Sequence, residues 1–149
     1  KVIRLVQMAG ANNDGFNLSH RDMRRRYSVN AFGKWPTEVV ISPSGGNVRT
    51  GGGLKNRPST GNPVEVCYKQ TTGRNFGAPR PSWDQIANLY AVRGNNNMFN
   101  EQRNGTHTVT NSTNFWRPSP NSNHHVVTIR NRNQMRVLID QLMEQAPKN

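Results

Sequence analysis

Five apolar side chains near the C-terminus, Met135, Leu138, Ile139, Leu142 and Met143, recur at i, i+3, i+4, i+7 and i+8. That is the spacing of one face of an α-helix. Asn131, with Gln134 three residues on, supplies an N-terminal cap, and Pro147 ends the run. Such a stripe must be buried against a second layer, which the expected strand just before it can provide. Residues 124–130 read His-His-Val-Val-Thr-Ile-Arg, with a period of two. His125, Val127 and Ile129 therefore face one way, and His124, Thr128 and Arg130 the other. The first set reads as core and the second as a site.

The remaining pattern is consistent with one α+β domain over residues 1–149. Residues 2–8 fit either a short strand or a short helix. Ser19 and Asp22 resemble a capping box opening a helix to about Tyr27, studded with Arg21, Arg24, Arg25 and Arg26. Residues 37–42, between Pro36 and Pro43, predict a buried strand, and residues 64–70 (Val-Glu-Val-Cys-Tyr-Lys-Gln) alternate as a half-buried one. Ser82-Trp83-Asp84-Gln85 opens a helix with Ile86, Leu89, Tyr90 and Arg93 on one stripe, closed by Gly94. The polar run 95–105 reads as a loop, residues 106–110 as a strand with His107 and Val109 on one face, and residues 111–123 as a long connection. The expectation is a twisted, mostly antiparallel sheet of about four or five strands, packed by two or three helices, with long Gly/Asn-rich loops.

Residues 44–61 are Gly-rich and basic and read as a flexible loop. Gly46 and Gly51 have the spacing of a phosphate-binding loop, but Gly52 stands where its lysine belongs.

Charge narrows the partners. Lys and Arg total 20 against 8 Asp and Glu, a net charge of +12, with a pI near 11.3. A surplus of this size attracts polyanions, and arginine's planar fork favours phosphate. Nucleic acid, RNA favoured, is the expected partner, with Arg21, Arg24, Arg25, Arg49, Lys55, Arg57 and Arg117 as binding candidates. No apolar run approaches the roughly 18 residues of a membrane span. Lys1 in place of Met fits a mature product or a segment of a longer chain.

Chemistry is narrowed by what is scarce. Eight carboxylates, several in expected caps or on helix faces, make a carboxylate-held metal an unfavoured choice. The one cysteine, Cys67, lies inside a strand pattern and reads as a small buried hydrophobe, not a nucleophile. No cofactor is called for. Metal-free RNA cleavage needs a proton acceptor for the 2′-hydroxyl, a proton donor for the leaving oxygen, and a cation for the charged phosphorane. His124 with Thr128 and Arg130, His107 on a neighbouring strand, and Lys69 or Tyr68 on another are the catalytic candidates.

In whole-chain profile, compact, basic, cysteine-poor and α+β, the sequence resembles the C-terminal toxin domains of bacterial polymorphic and contact-dependent systems. The resemblance implies a ribonuclease, often acting on tRNA, that is secreted or delivered into a target cell's cytoplasm and neutralised by an acidic immunity protein. The alternatives are a non-catalytic RNA- or DNA-binding protein of viral or phage type, with Trp35, Trp83, Phe115 and Trp116 as stacking candidates, and an NAD-consuming toxin, either an ADP-ribosyltransferase or a glycohydrolase.

Overall fold

In a computed structural model, which describes residues 4–11, 33–56, 61–109 and 114–145, the chain forms an α+β structure. The strands are β1 (Arg4–Met8), β2 (Glu38–Ser42), β3 (Arg49–Thr50), β4 (Arg80–Pro81), β5 (Phe99–Val109), β6 (Asn114–Pro118) and β7 (His124–Ile129). The helices are α1 (Pro63–Thr72), α2 (Trp83–Arg93) and α3 (Arg132–Glu144). They gather into two compact units, one from residues up to Ser44 and from Ala87 to Arg130, the other from Gly45 to Ile86 and from Asn131 onward.

The first unit holds a five-stranded sheet of order β1-β2-β7-β5-β6. The first two pairings are parallel and the last two antiparallel, so the sheet is mixed. Val39, Val40 and Ile41 of β2 are all fully buried. Such an unbroken apolar run marks a strand covered on both faces. On one face Val39, Ile41 and Val126 cluster with Ala9 and Ala11, and Leu5, Trp35 and Trp116 pack against them. On the other, Val40, Val127 and Phe99 are buried, and Tyr90 of α2 meets Phe99 edge-on at 5.1 Å between ring centroids.

β5 is longer than the sequence pattern indicates, because its first half carries no hydrophobic alternation to announce a strand. The register with β7 shifts between Gln102 and Gly105, and Asn104 there has a φ of 61°. One extra residue is thereby accommodated as a bulge, and asparagine tolerates the left-handed conformation better than most residues. Residues 111–123, expected as a connection, contain β6, which pairs back on β5. Gly105 is needed at that pairing, since a Cβ there would overlap the Trp116 indole.

In the second unit β3 and β4 form a two-stranded ribbon. Val48, Leu54, Ile86, Met135, Ile139 and Met143 are buried. Thus Met135, Ile139 and Met143 of the expected stripe are indeed its buried side. The loop expected at 44–61 includes β3 and a short 3-10 turn, Leu54–Asn56.

The strand expected at 64–70 is helix α1. Pro63 at the first turn presets φ and needs no hydrogen-bond partner. The Asn62 side chain accepts a hydrogen bond from the Val64 amide at 2.9 Å, and Gly73 closes the helix with a φ of 51°. These end signals override the alternation. Cys67 is consequently exposed, not buried. Asn62 also donates to the Met143 carbonyl at 2.8 Å from a site only 3% exposed. Asn62→Ala is expected to lower unfolding stability by about 2 kcal/mol, as loss of a cap and a buried hydrogen bond together. Val66→Ala, half-exposed on the same helix, should stay within ~0.5 kcal/mol; urea denaturation of both variants checks the contrast.

Candidate active site

Register and alternation place the charged and polar side chains of four strands in one line, which helix α2 extends. On the face that carries Val40 and Val127, Arg4 of β1 is paired with Glu38 of β2, Arg4 Nε lying 3.2 Å from Glu38 Oε2. The other carboxylate oxygen of Glu38 lies 3.0 Å from Nδ1 of His125 on β7. The opposite ring nitrogen, Nε2, accepts a hydrogen bond from Nη1 of Arg103 on β5 at 3.0 Å. Arg103 also donates to Glu101 Oε2 from Nη2 at 2.6 Å and from Nε at 3.1 Å. The second oxygen of Glu101 accepts from the Tyr90 hydroxyl at 2.9 Å and from Asn95 at 3.0 Å.

The bonding fixes the state of the imidazole. A guanidinium can only donate, so Nε2 of His125 carries no proton and the neutral ring holds its proton on Nδ1, toward Glu38. That contact is close without being aligned as a hydrogen bond. His125 is the most shielded of the histidine and its charged neighbours, and beyond Arg103 the line turns inward again, with Glu101 at 16%. The side chain of His125 is 7% exposed, Glu38 27%, Arg4 35% and Arg103 54%. The imidazole is therefore shielded while the groups on either side of it reach solvent.

Burial, with the Arg103 cation next in effect, holds the His125 pKa below the ordinary 6.5, against the opposing pull of Glu38 and Glu101. Burial alone would raise the Glu101 carboxyl, but hydrogen bonds from Arg103, Tyr90 and Asn95 outweigh it and keep the group below 4.5. Tyr90 is pushed up to about 12 by burial and by its bond to Glu101. At neutral pH the line therefore offers an unprotonated imidazole, an anionic Glu101 and a phenol that keeps its proton.

The residues singled out in the sequence fall elsewhere. His124 and His107 do converge, with the His107 amide donating to His124 Nδ1 at 3.1 Å and Gln7 in contact with His107 Nδ1 at 3.3 Å. They lie on the opposite sheet face from His125, and both are buried, at 3% and 1% exposed. Burial is the main cause holding His107 below 6.5, with the neighbouring His124 acting the same way. The division of β7 into a core face and an open site face thus gives way to a strand buried on both sides from His124 to Val127.

Thr128 is exposed four residues beyond His124, ~13 Å along the strand. Arg130 donates to the Phe99 carbonyl at 2.9 Å. Tyr68 and Lys69 lie on helix α1, not on a strand, and in the second unit, where Gln85 donates to the Tyr68 hydroxyl at 3.1 Å. Arg49 donates to the Pro79 carbonyl at 2.8 Å from β3, Lys55 is exposed in the 3-10 turn, and Arg117 is exposed on β6. Arg21, Arg24, Arg25 and Arg57, with the helix expected at 19–27, lie outside the described residues. Among the described residues no group of three or more His, Cys, Asp or Glu side chains is placed to hold a metal ion.

Glu38, Arg103, Glu101, Tyr90 and Arg4 were not among the residues expected at a site. A usable signal existed in Glu101 and Arg103, two residues apart and of opposite charge, had residues 99–105 been read as a strand.

Both His107 and His125 bind their protons more weakly folded than unfolded. The stability they lend is present above pH 6.5 and is lost as pH falls through their folded pKa values. The urea midpoint is expected to decline steadily from pH 7 to pH 5, and His125→Asn should flatten part of that slope. A midpoint independent of pH across this window would contradict the assignment. No family model, no curated protein and no solved structure matches this chain, so the site speaks through its geometry alone.

Proposed function

We propose that the chain is a metal-independent endoribonuclease in which His125 is the proton acceptor. The observation that carries this reading is the single line Glu38–His125–Arg103–Glu101, which sets an unprotonated imidazole nitrogen directly behind an exposed guanidinium. The guanidinium is a rigid plane, so it pivots as a whole about its contact with Glu101, carrying Nη1 from the imidazole to a phosphate oxygen. That turn frees Nε2 to take the proton of the 2′-hydroxyl. The 2′-oxygen then bonds to phosphorus as the bond to the 5′-oxygen breaks, giving a 2′,3′-cyclic phosphate. The 5′-oxygen takes a proton from solvent and leaves as a hydroxyl. Glu38, with Oε1 3.0 Å from Nδ1, stabilises the imidazolium that forms, as the carboxylate of a Ser-His-Asp triad does. Arg103 and Arg4 supply cations where negative charge gathers.

The +12 charge supports RNA, tRNA included, as the polyanion brought to this site. On this reading, the resemblance to secreted toxin domains extends to an acidic inhibitor protein that would meet the same cations.

The test is cleavage of total RNA and of tRNA in excess EDTA. Wild type is expected to cut, and His125→Ala to lose about 100-fold or more in rate, the usual contribution of a positioned acid–base group. Glu38→Gln should lose less, and kcat/KM should rise as pH climbs through the His125 pKa and level off by neutrality. Intact RNA in EDTA, or equal rates for wild type and His125→Ala, would sink the proposal. RNA retarded in a gel without being cut would favour a non-catalytic binder, and release of nicotinamide an NAD-consuming enzyme.

A further inference from the structure

β6 carries a feature that the proton-transfer line does not use. Thr106 pairs with Arg117 and Thr108 with Phe115 across β5 and β6, while His107 pairs with Trp116. Trp116 and His107 lie on the face of His124, so Phe115 and Arg117 share the face of His125 and Arg103. There the Arg117 guanidinium carbon lies 5.5 Å from the centroid of the Phe115 ring. Phe115 is half-buried, whereas Arg117 and Thr108 are exposed. The ring is anchored and the guanidinium over it has a side open to solvent.

We infer that Phe115 and Arg117 form a stacking subsite for an unpaired nucleobase of single-stranded RNA, on the same sheet face as His125. A cation over an aromatic ring presents a flat, weakly hydrated plane, and bases stack on both guanidinium and aromatic planes. Charge agrees with the ligand, since Arg117, Arg103 and Arg4 mark the same face with cations for its phosphates. Two inter-strand steps and four residues of rise separate Phe115 from His125, ~16 Å. A short extended oligonucleotide spans that distance, so the stacked base lies a few nucleotides from the scissile bond. A base inside a duplex is already stacked on both sides and cannot enter, so the subsite selects single strands, loops and ends.

This inference rests on the ribonuclease reading for its setting but is measured without cleavage. The probe is a labelled seven-nucleotide 2′-O-methyl oligonucleotide, which lacks the attacking hydroxyl, used single-stranded and as a duplex of the same sequence. The single strand is expected to bind more tightly than the duplex. Phe115→Leu, which keeps apolar volume but removes the ring, should weaken single-strand binding ~10-fold, the scale of one lost aromatic–base stack. Phe115→Tyr should bind like wild type, showing that a ring is what matters, and circular dichroism of both variants checks that they fold. Arg117→Gln should weaken binding and reduce the salt slope by about 1. Equal affinity for strand and duplex, or Phe115→Leu equal to wild type, overturns the subsite. Phe115-dependent probe binding by a protein that leaves RNA intact would sink the catalytic reading and keep the subsite. Cleavage with unchanged KM in Phe115→Leu would do the reverse.

Discussion

A histidine on a strand buried on both faces has to find partners inside the sheet, and the arrangement around His125 follows from that demand. Its two ring nitrogens point along the sheet toward the neighbouring strands, where Glu38 meets one and Arg103 the other. Each of those charged groups needs an opposite charge of its own, because an unpaired ion in a partly buried place is costly. Arg4 answers Glu38 and Glu101 answers Arg103. Charges alternate along the line and sum to zero around a neutral imidazole. An interaction set of this kind rigidifies the sheet.

Topology makes the line available. Residues 38 and 125 are far apart in sequence and become neighbours only because β2 pairs with β7 in parallel, Val40 beside His125. Arg103 arrives from the other side through the antiparallel pairing of β5 with β7. The core beneath, Val40, Val127 and Phe99, with Tyr90 against Phe99, fixes the strands that carry these groups. Tyr90 is both a packing residue and the donor that orients Glu101.

Much of the fold was legible where hydrophobic pattern and end signals agree. The stripe of α3, the Gly94 closure of α2, and the β-branched runs of β2 and β7 each state their structure in the sequence, whereas Ser82 and Gln85 bond to Thr50 and Tyr68 and form no capping box. Reading failed where pattern and caps disagreed, as at α1, whose alternating Val64, Val66 and Tyr68 are overruled by Asn62, Pro63 and Gly73. It failed again where a strand has no apolar alternation, as in the first half of β5. There the polar run 95–105 conceals that Glu101 and Arg103 sit on a strand. His124 and His125, neighbours on β7, meet different partners, His107 for the first and Glu38 with Arg103 for the second. Adjacent residues of a strand face opposite ways, and only the cross-strand partners tell which of two neighbouring histidines meets charge.

The bulge at Asn104 ties these observations together. Before it, even-numbered residues of β5 share the face of His124, as the pairing of Gln102 with Val126 requires; after it, odd-numbered ones do, as Gly105 opposite His124 shows. β5 is thus one continuous ladder written in two reading frames. The first frame delivers Glu101 and Arg103 to the charged line, and the second sends His107 and Val109 into the core. A strand built this way can change one half by substitution without disturbing the other, but it cannot gain or lose a residue between them without turning one half inside out.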